Sequence, residues 1–127
     1  MAMNASACDS GFLSYRSRVA AINALAPAEE SALARDWRRG DQHAGTRLIA
    51  SNLRWVIAIA QEYRRWGMPV DDLVQQGNIG LLKAAQHYDP SRETSLRGYA
   101  GYWIRAEIRD YVVRFYRIVR LGTKFEW

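Results

Sequence analysis

Cysteine, lysine, histidine and proline are scarce in this chain of 127 residues, and each shortage removes a class of chemistry. A lone cysteine, Cys8, permits no intrachain disulfide and no cysteine-based metal cluster, which suits a reducing compartment. The two histidines, His43 and His87, lack the His-x-x-x-His or Glu-paired spacing of a metal site. A phosphate-binding glycine loop is missing as well: Gly77-Asn78-Ile79-Gly80 lies in a helical stretch with no Lys-Ser or Lys-Thr after it. Asp71-Asp72 reads as an acidic first turn of a helix rather than as an acid-base couple. No window approaches ~18 uninterrupted apolar residues. Met1 to Gly11 carries neither positive charge nor a signal-length apolar run. From these absences the expectation is a cytoplasmic protein that is not an enzyme, with no cofactor, no metal and no membrane partner.

Arginine and aromatic rings, by contrast, are plentiful. Lysine and arginine number 18 against 13 acidic residues, a net charge of +5, and only Lys83 and Lys124 are lysines. Arginine is the better donor to phosphates and stacks on flat rings. With 5 Trp, 7 Tyr and 3 Phe beside that charge, the composition points to a polyanion with unstacked bases.

Three prolines, Pro27, Pro69 and Pro90, punctuate a helical pattern. Met1 to Gly11 is expected to be a disordered leader, followed by a short helix through Phe12, Tyr15, Val19, Ile22 and Leu25. Pro27 with Glu29 and Glu30 opens a second helix that ends at Gly40. Asp41 is the N-cap of a third, long helix running to about Trp66, stopped by Gly67. Pro69 opens a fourth that runs to Tyr88, and a fifth extends from about Thr94 towards Arg120. Nothing reads as a strand. The fold class is all-α, a compact bundle of about five helices.

On a helical wheel Ala100, Ile104, Ile108, Tyr111, Val112, Phe115, Ile118 and Val119 form one stripe, expected to be buried. Arg105, Arg109, Arg114, Arg117 and Arg120 fall on the other side, which alone is an ordinary solvated face. Tyr99, Tyr102 and Trp103 lie among these arginines, an arrangement single-stranded nucleic acid binding uses: cations follow phosphates while rings stack bases. The alternative is that the three rings pack under the loop before the helix. On the fourth helix, Asp72, Gln75, Gln76, Ile79 and Lys83 share a stripe opposite Leu73, Gly77, Leu81, Ala84 and Tyr88. An aliphatic residue amid amides, with little positive charge, suits a protein partner better than DNA. A solvated face with a stray isoleucine is the plainer reading.

The stretch from Asp71 to Ala84, Asp-Asp-Leu-Val-Gln-Gln-Gly-Asn-Ile-Gly-Leu-Leu-Lys-Ala, closely resembles the second conserved region of bacterial sigma-70 family RNA polymerase sigma factors. Leu48 to Val56 looks like the start of that region, and Tyr99-Ala-Gly-Tyr-Trp-Ile-Arg-Ala-Glu-Ile108 looks like its melting and minus-ten recognition helix. Trp103-Ile-Arg-Ala-Glu-Ile108 together with Tyr116-Arg-Ile-Val-Arg120 is more similar to heat-shock (RpoH-like) alternative sigma factors than to the housekeeping type. The resemblance implies domains at 12–40, similar to region 1.2, and 41–123, region 2, with a truncated tail at 124–127 and regions 3 and 4 absent.

It further implies a module that binds core RNA polymerase, recognises the promoter minus-ten element and melts DNA in the bacterial cytosol, at the nucleoid. Asp72, Gln75, Gln76, Asn78 and Leu82 are the positions that dock on the β′ clamp helices, with Gln76 standing where the family usually has Glu. Tyr99 aligns with the aromatic on which the family stacks the flipped minus-ten adenine, and Tyr102 and Trp103 match positions at the upstream edge of the melted bubble. Arg105 and Arg109 face the duplex side, and Arg117 and Arg120 further along the helix are also expected to contact DNA. An anti-sigma factor or a chaperone is a further implied partner. The alternative is a truncated sigma-like protein that competes for core polymerase without initiating.

Overall fold

The computed structural model describes the backbone of residues 2–92 and 94–125, and the side chains of residues 11–92 and 94–118. Helices α1 (Ala2–Ala20), α2 (Pro27–Arg38), α3 (Gln42–Ala50), α4 (Leu53–Glu62), α5 (Val70–His87) and α6 (Leu96–Phe125) follow in order, with a 3₁₀ turn at Arg64–Trp66. The bundle is all-α, as the sequence pattern requires, and among the described residues there is no strand.

Most boundaries obey local chemistry. Pro27 opens α2 with Glu29 and Glu30 in its first turn, where the helix dipole favours carboxylates. The Asp41 carboxylate caps α3, accepting from the backbone N–H groups of His43 at 3.0 Å and Ala44 at 3.2 Å. Gly40 and Gly67 take the left-handed backbone, φ 104° and 83°, at the two stops expected of them.

Two boundaries differ from the sequence reading. α1 begins at Ala2, so the segment expected as a disordered leader belongs to the first helix; Ala2, Ala5 and Ala7 are strong helix formers. The expected single helix from Asp41 to Trp66 is divided at Ser51-Asn52 into α3, α4 and the 3₁₀ turn. The Ser51 hydroxyl and the Asn52 amide both donate to the Leu48 carbonyl, at 2.8 and 3.0 Å, and so take an acceptor that a continuing helix needs.

Leu48, Val56, Ile59, Leu73, Leu81, Leu96, Ile104 and Ile108 are the largest fully buried side chains. Each contributes about 1.5–3 kcal/mol of transfer free energy. The largest helix–helix contact is α5 against α6. It depends on Gly80, where a Cβ atom would lie 2.6 Å from the Trp103 carbonyl oxygen and 2.8 Å from Ile104 Cα. The inward face of α5 is the expected one, with Leu73, Gly77, Leu81, Ala84 and Tyr88 buried.

The apolar stripe of α6 is buried only as far as Val112. Ala100, Ile104 and Ile108 are enclosed, but Phe115 is exposed and Ile118 is 69% exposed, contrary to the wheel reading; Val119 lies outside the described side chains. Beyond Val112 the stripe leaves the bundle, where the 3₁₀ turn meets α6 through Trp66 and Tyr116 instead.

The start of α6 is held from α2. Glu30 is buried, and its carboxylate accepts the Leu96 N–H at 2.6 Å, capping α6 from a distant part of the chain. The Tyr88 hydroxyl donates to the Thr94 carbonyl at 3.0 Å, and Arg38 donates to the Tyr88 carbonyl. This bracing sets where the first rings of α6 lie.

Candidate nucleic-acid and partner interfaces

The first two turns of α6 carry Tyr99, Tyr102 and Trp103, and their environments differ. Tyr102 is 81% exposed, a ring held in water at the helix surface. Trp103 is half-buried and stacks on His87, centroids 4.9 Å apart and planes 17° apart, while His87 Nδ1 lies 2.8 Å from the Lys83 carbonyl. Tyr99 is half-buried between Tyr88 at 6.1 Å and Trp103 at 6.3 Å. The reading of rings open on the arginine face thus holds for Tyr102, whereas Trp103 packs on His87 at the end of α5 and Tyr99 packs on Tyr88 in the loop before α6, as the alternative expects for that ring.

Arg105 lies over the Trp55 ring of α4 at 5.6 Å and pairs with Glu62 at 3.5 Å. Arg97 covers the same indole at 4.5 Å, and Trp55 Nε1 donates to the Arg97 carbonyl at 3.0 Å. Such contacts hold guanidinium groups extended along a surface at little further entropic cost. Gly101 is buried against this cluster. Arg109 Nε donates to the Tyr63 hydroxyl at 2.9 Å. Arg117 lies further along, in a groove shared with Arg65, Trp66 and Tyr116. Arg120 lies outside the described side chains.

The DNA-contact candidates therefore form two groups. Tyr99, Tyr102, Trp103 and Arg105 gather at the α4–α6 and α5–α6 junctions. Arg109 and Arg117 border the groove beside the 3₁₀ turn, and Glu62 and Tyr63, adjacent in sequence, link the two groups. Trp55, Arg97, Trp66 and Tyr116 belong to these clusters and were missed in the sequence. Their partners stand 42 to 50 residues away, and no local spacing signals them.

On α5 the candidate stripe is open along its centre. Ile79 is 44% and Leu82 43% exposed, with Gln75 exposed beside them and Asp72 and Gln76 half-buried. Its margins are tied down: Lys83 is ion-paired to Glu107 of α6, and Asn78 turns towards α1, its amide 3.5 Å from the Tyr15 hydroxyl. Among the described residues the buried Asn78 oxygen has no partner, and it lies beside a cleft of about 300 Å³ lined by Phe12, Tyr15, Asp71 and Gln75. The structure thus brings Asp72, Gln75, Ile79 and Leu82 onto one face and sets Asn78 at its α1 edge.

The loop before α6 carries the two shifted titrations. Burial, then the nearby Glu30 and Asp89 carboxylates, push the Tyr88 phenol above its ordinary value. The Asp89 carboxyl is held low first by the Ser91 hydroxyl and its backbone N–H, with help from Arg38 and Arg92. Both shifts report hydrogen bonding and packing that hold the loop closed. Among the described residues no group of three or more His, Cys, Asp and Glu side chains could hold a metal ion. No described helix is long and apolar enough to cross a membrane.

Fold and surface together define an all-α helical bundle in which one helix displays arginines and rings, and the preceding helix displays an amide and aliphatic stripe. The profile of Sigma-70 region 2 matches residues 48–117, from α3 through most of α6, and the chain belongs to that family. It is similar to RNA polymerase sigma-C factor of Myxococcus xanthus, 40% identical over 109 residues that cover 86% of this chain and 37% of that protein. It is also similar to RNA polymerase sigma factor RpoH of Rhizobium radiobacter, 36% identical over 116 residues, covering 91% of this chain and 39% of that one. RpoH of Zymomonas mobilis is 42% identical over 100 residues, 78% of this chain and 33% of its own. The chain thus spans under two-fifths of the length of these relatives.

Proposed function

We propose that this chain is the promoter-engaging part of an alternative, stress-type sigma factor. It docks on the β′ clamp helices of core RNA polymerase and holds the unstacked non-template strand of the minus-ten element for transcription initiation. Family membership and the similarity to RpoH proteins support the role. The observation that carries the DNA half is the Tyr102 ring, 81% exposed, on the helix that also aims Arg105 and Arg97 along Trp55.

In this reading Gln75, Ile79, Leu82 and Asp72 form the centre of the polymerase contact, with Gln76 and Asn78 at its margins. An exposed aliphatic centre ringed by polar groups is the usual anatomy of a protein interface. Gln76 offers an amide where the family usually has a carboxylate, so a partner cation there keeps a hydrogen bond and loses a charge pair. On the other side, Tyr99, Tyr102 and Trp103 stack extruded bases while Arg105, Arg109 and Arg117 follow the phosphates. Unstacking costs a few kcal/mol, and each base held on a ring returns about 1–3 kcal/mol, so strand capture offsets melting without ATP. No bond is made or broken by the domain itself, which acts by binding.

Permanganate reactivity of the minus-ten thymines tests this, on promoter duplex incubated with core polymerase and the chain. Reactive thymines are expected with the wild type, and Asp72→Ala is expected to lose both co-purification with core and reactivity. Core binding without reactive thymines in the wild type identifies a competitor and overturns the reading.

A further inference from the structure

The groove of about 700 Å³ between the 3₁₀ turn and the second half of α6 has a composition that the DNA-holding face does not explain. Its floor is Val112 and the exposed Val113. One wall is Trp66 and Tyr116, packed edge to face with centroids 5.9 Å apart, and the Tyr116 hydroxyl donates to the Trp66 carbonyl at 2.7 Å. That bond crosses from α6 to the turn and fixes the wall in place. Arg65, Arg109 and Arg117 stand around it, and Arg109 is steered by the Tyr63 hydroxyl. Among the described residues the one carboxylate of the lining, Glu62, is already paired with Arg105.

We infer that this groove docks an acidic segment of a partner protein, anchored by leucine- or phenylalanine-like side chains. Two features must be satisfied at once. Three guanidinium groups facing one occupied carboxylate call for negative charge, and the exposed Val113 side chain, set on the buried Val112 between fixed rings, calls for an apolar side chain. A duplex supplies phosphates, but its aliphatic groups, the thymine methyls, lie recessed in the major groove and do not reach Val113 from the backbone that the arginines would hold. A neutral apolar partner leaves the arginines uncompensated. An acidic amphipathic segment meets both needs, and a preformed aromatic pocket ringed by arginines is where interface hot spots concentrate. The inference stands independently of the DNA reading. Because Arg109 and Arg117 border both surfaces, an occupant here also covers guanidinium groups that the DNA reading uses.

Fluorescence anisotropy of the 127-residue chain tests the inference. The probe is a labelled amphipathic helical peptide of about four turns, with Leu and Phe on one face and Glu on the other. A peptide of the same composition in scrambled order is its control. The ordered peptide is expected to bind at least about tenfold more tightly than the scrambled one, and Val113→Asp and Trp66→Ala are each expected to weaken it about tenfold or more. Tyr102→Ala is expected to leave it unchanged. Equal affinity for the two peptides would show charge attraction alone and overturn the inference. So would Val113→Asp and Trp66→Ala weakening a single-stranded minus-ten oligonucleotide while sparing the peptide, since the groove would then be a nucleic-acid site. Both positions are exposed, and helical circular dichroism of each variant checks that the fold is retained.

Discussion

Replacing Gly80 by alanine adds one methyl group at the closest approach of α5 and α6. The new Cβ would sit 2.6 Å from the Trp103 carbonyl oxygen and 2.8 Å from both Trp103 C and Ile104 Cα. All three are backbone atoms and cannot rotate aside. Comfortable contact lies near about 3.5–4.0 Å, so the helices must separate by roughly 1 Å along this line. Overpacking costs about 1–3 kcal/mol, and a clash with rigid backbone belongs in the upper part of that range, about 2–3; helix propensity returns about 1 kcal/mol, leaving a net loss of about 1–2 kcal/mol. For a domain of this size that lowers Tm by about 4–8 °C. Gly98→Ala is the control, because its Cβ meets Ser95 Oγ and Thr94 Cγ2 at an ordinary 3.6 Å. It is expected to be stabilising by a few tenths to about 1 kcal/mol. Thermal melts by circular dichroism compare the two. A Gly80→Ala protein that melts at or above the wild-type temperature would refute the account of the α5–α6 contact, since the site would then have room for a methyl group.

Other consequences follow from the bracing of the α6 start. Glu30→Ala removes the acceptor of the buried Leu96 N–H and is expected to cost about 1–3 kcal/mol in urea unfolding, with Glu30→Gln, which keeps an acceptor oxygen, costing less. The Asp89 carboxyl is held below its ordinary 3.8, so its contribution to stability is present above that pH and lost as pH falls through the lowered folded value. Ser91→Ala is expected to flatten this acid limb in denaturant titrations below pH 3.8. Tyr88 behaves in the opposite sense: raised above 10.0, it contributes stability that is complete below that pH and declines as pH rises through the folded value. Tyr88→Phe is expected to remove that alkaline loss, and an unchanged alkaline limb would assign it to other groups.

Much of the fold was legible because punctuation is local. Pro27, Asp41, Gly67 and Pro69 act on their immediate neighbours, and each stands where it was read. The inward face of α5 and the first half of that of α6 followed from periodicity for the same reason. Ser51-Asn52 misled because apolar spacing continues smoothly across it, while the break depends on two side chains competing for the Leu48 carbonyl. Phe115 and Ile118 misled because a wheel gives the direction of a side chain and not whether another helix reaches that far.

The candidate surfaces divide similarly. Tyr102 was visible as a ring on a polar face, and Ile79 as an apolar residue on another. The shielding of Trp103 by His87 was not visible, nor the attachment of Arg97 and Arg105 to Trp55, nor the turn of Asn78 towards Tyr15. Each of those joins elements brought together only by tertiary packing.

The central claim is that the ring and arginine face of α6 holds unstacked promoter DNA. Its most direct measurement is the affinity of a labelled non-template minus-ten oligonucleotide for the chain bound to core RNA polymerase, compared between wild type and Tyr102→Ala. Tyr102 is 81% exposed and its removal disturbs little packing, so the account predicts a loss of about 1–3 kcal/mol, roughly five- to 150-fold in Kd, with the melting temperature unchanged. Equal affinity for the two proteins would contradict it.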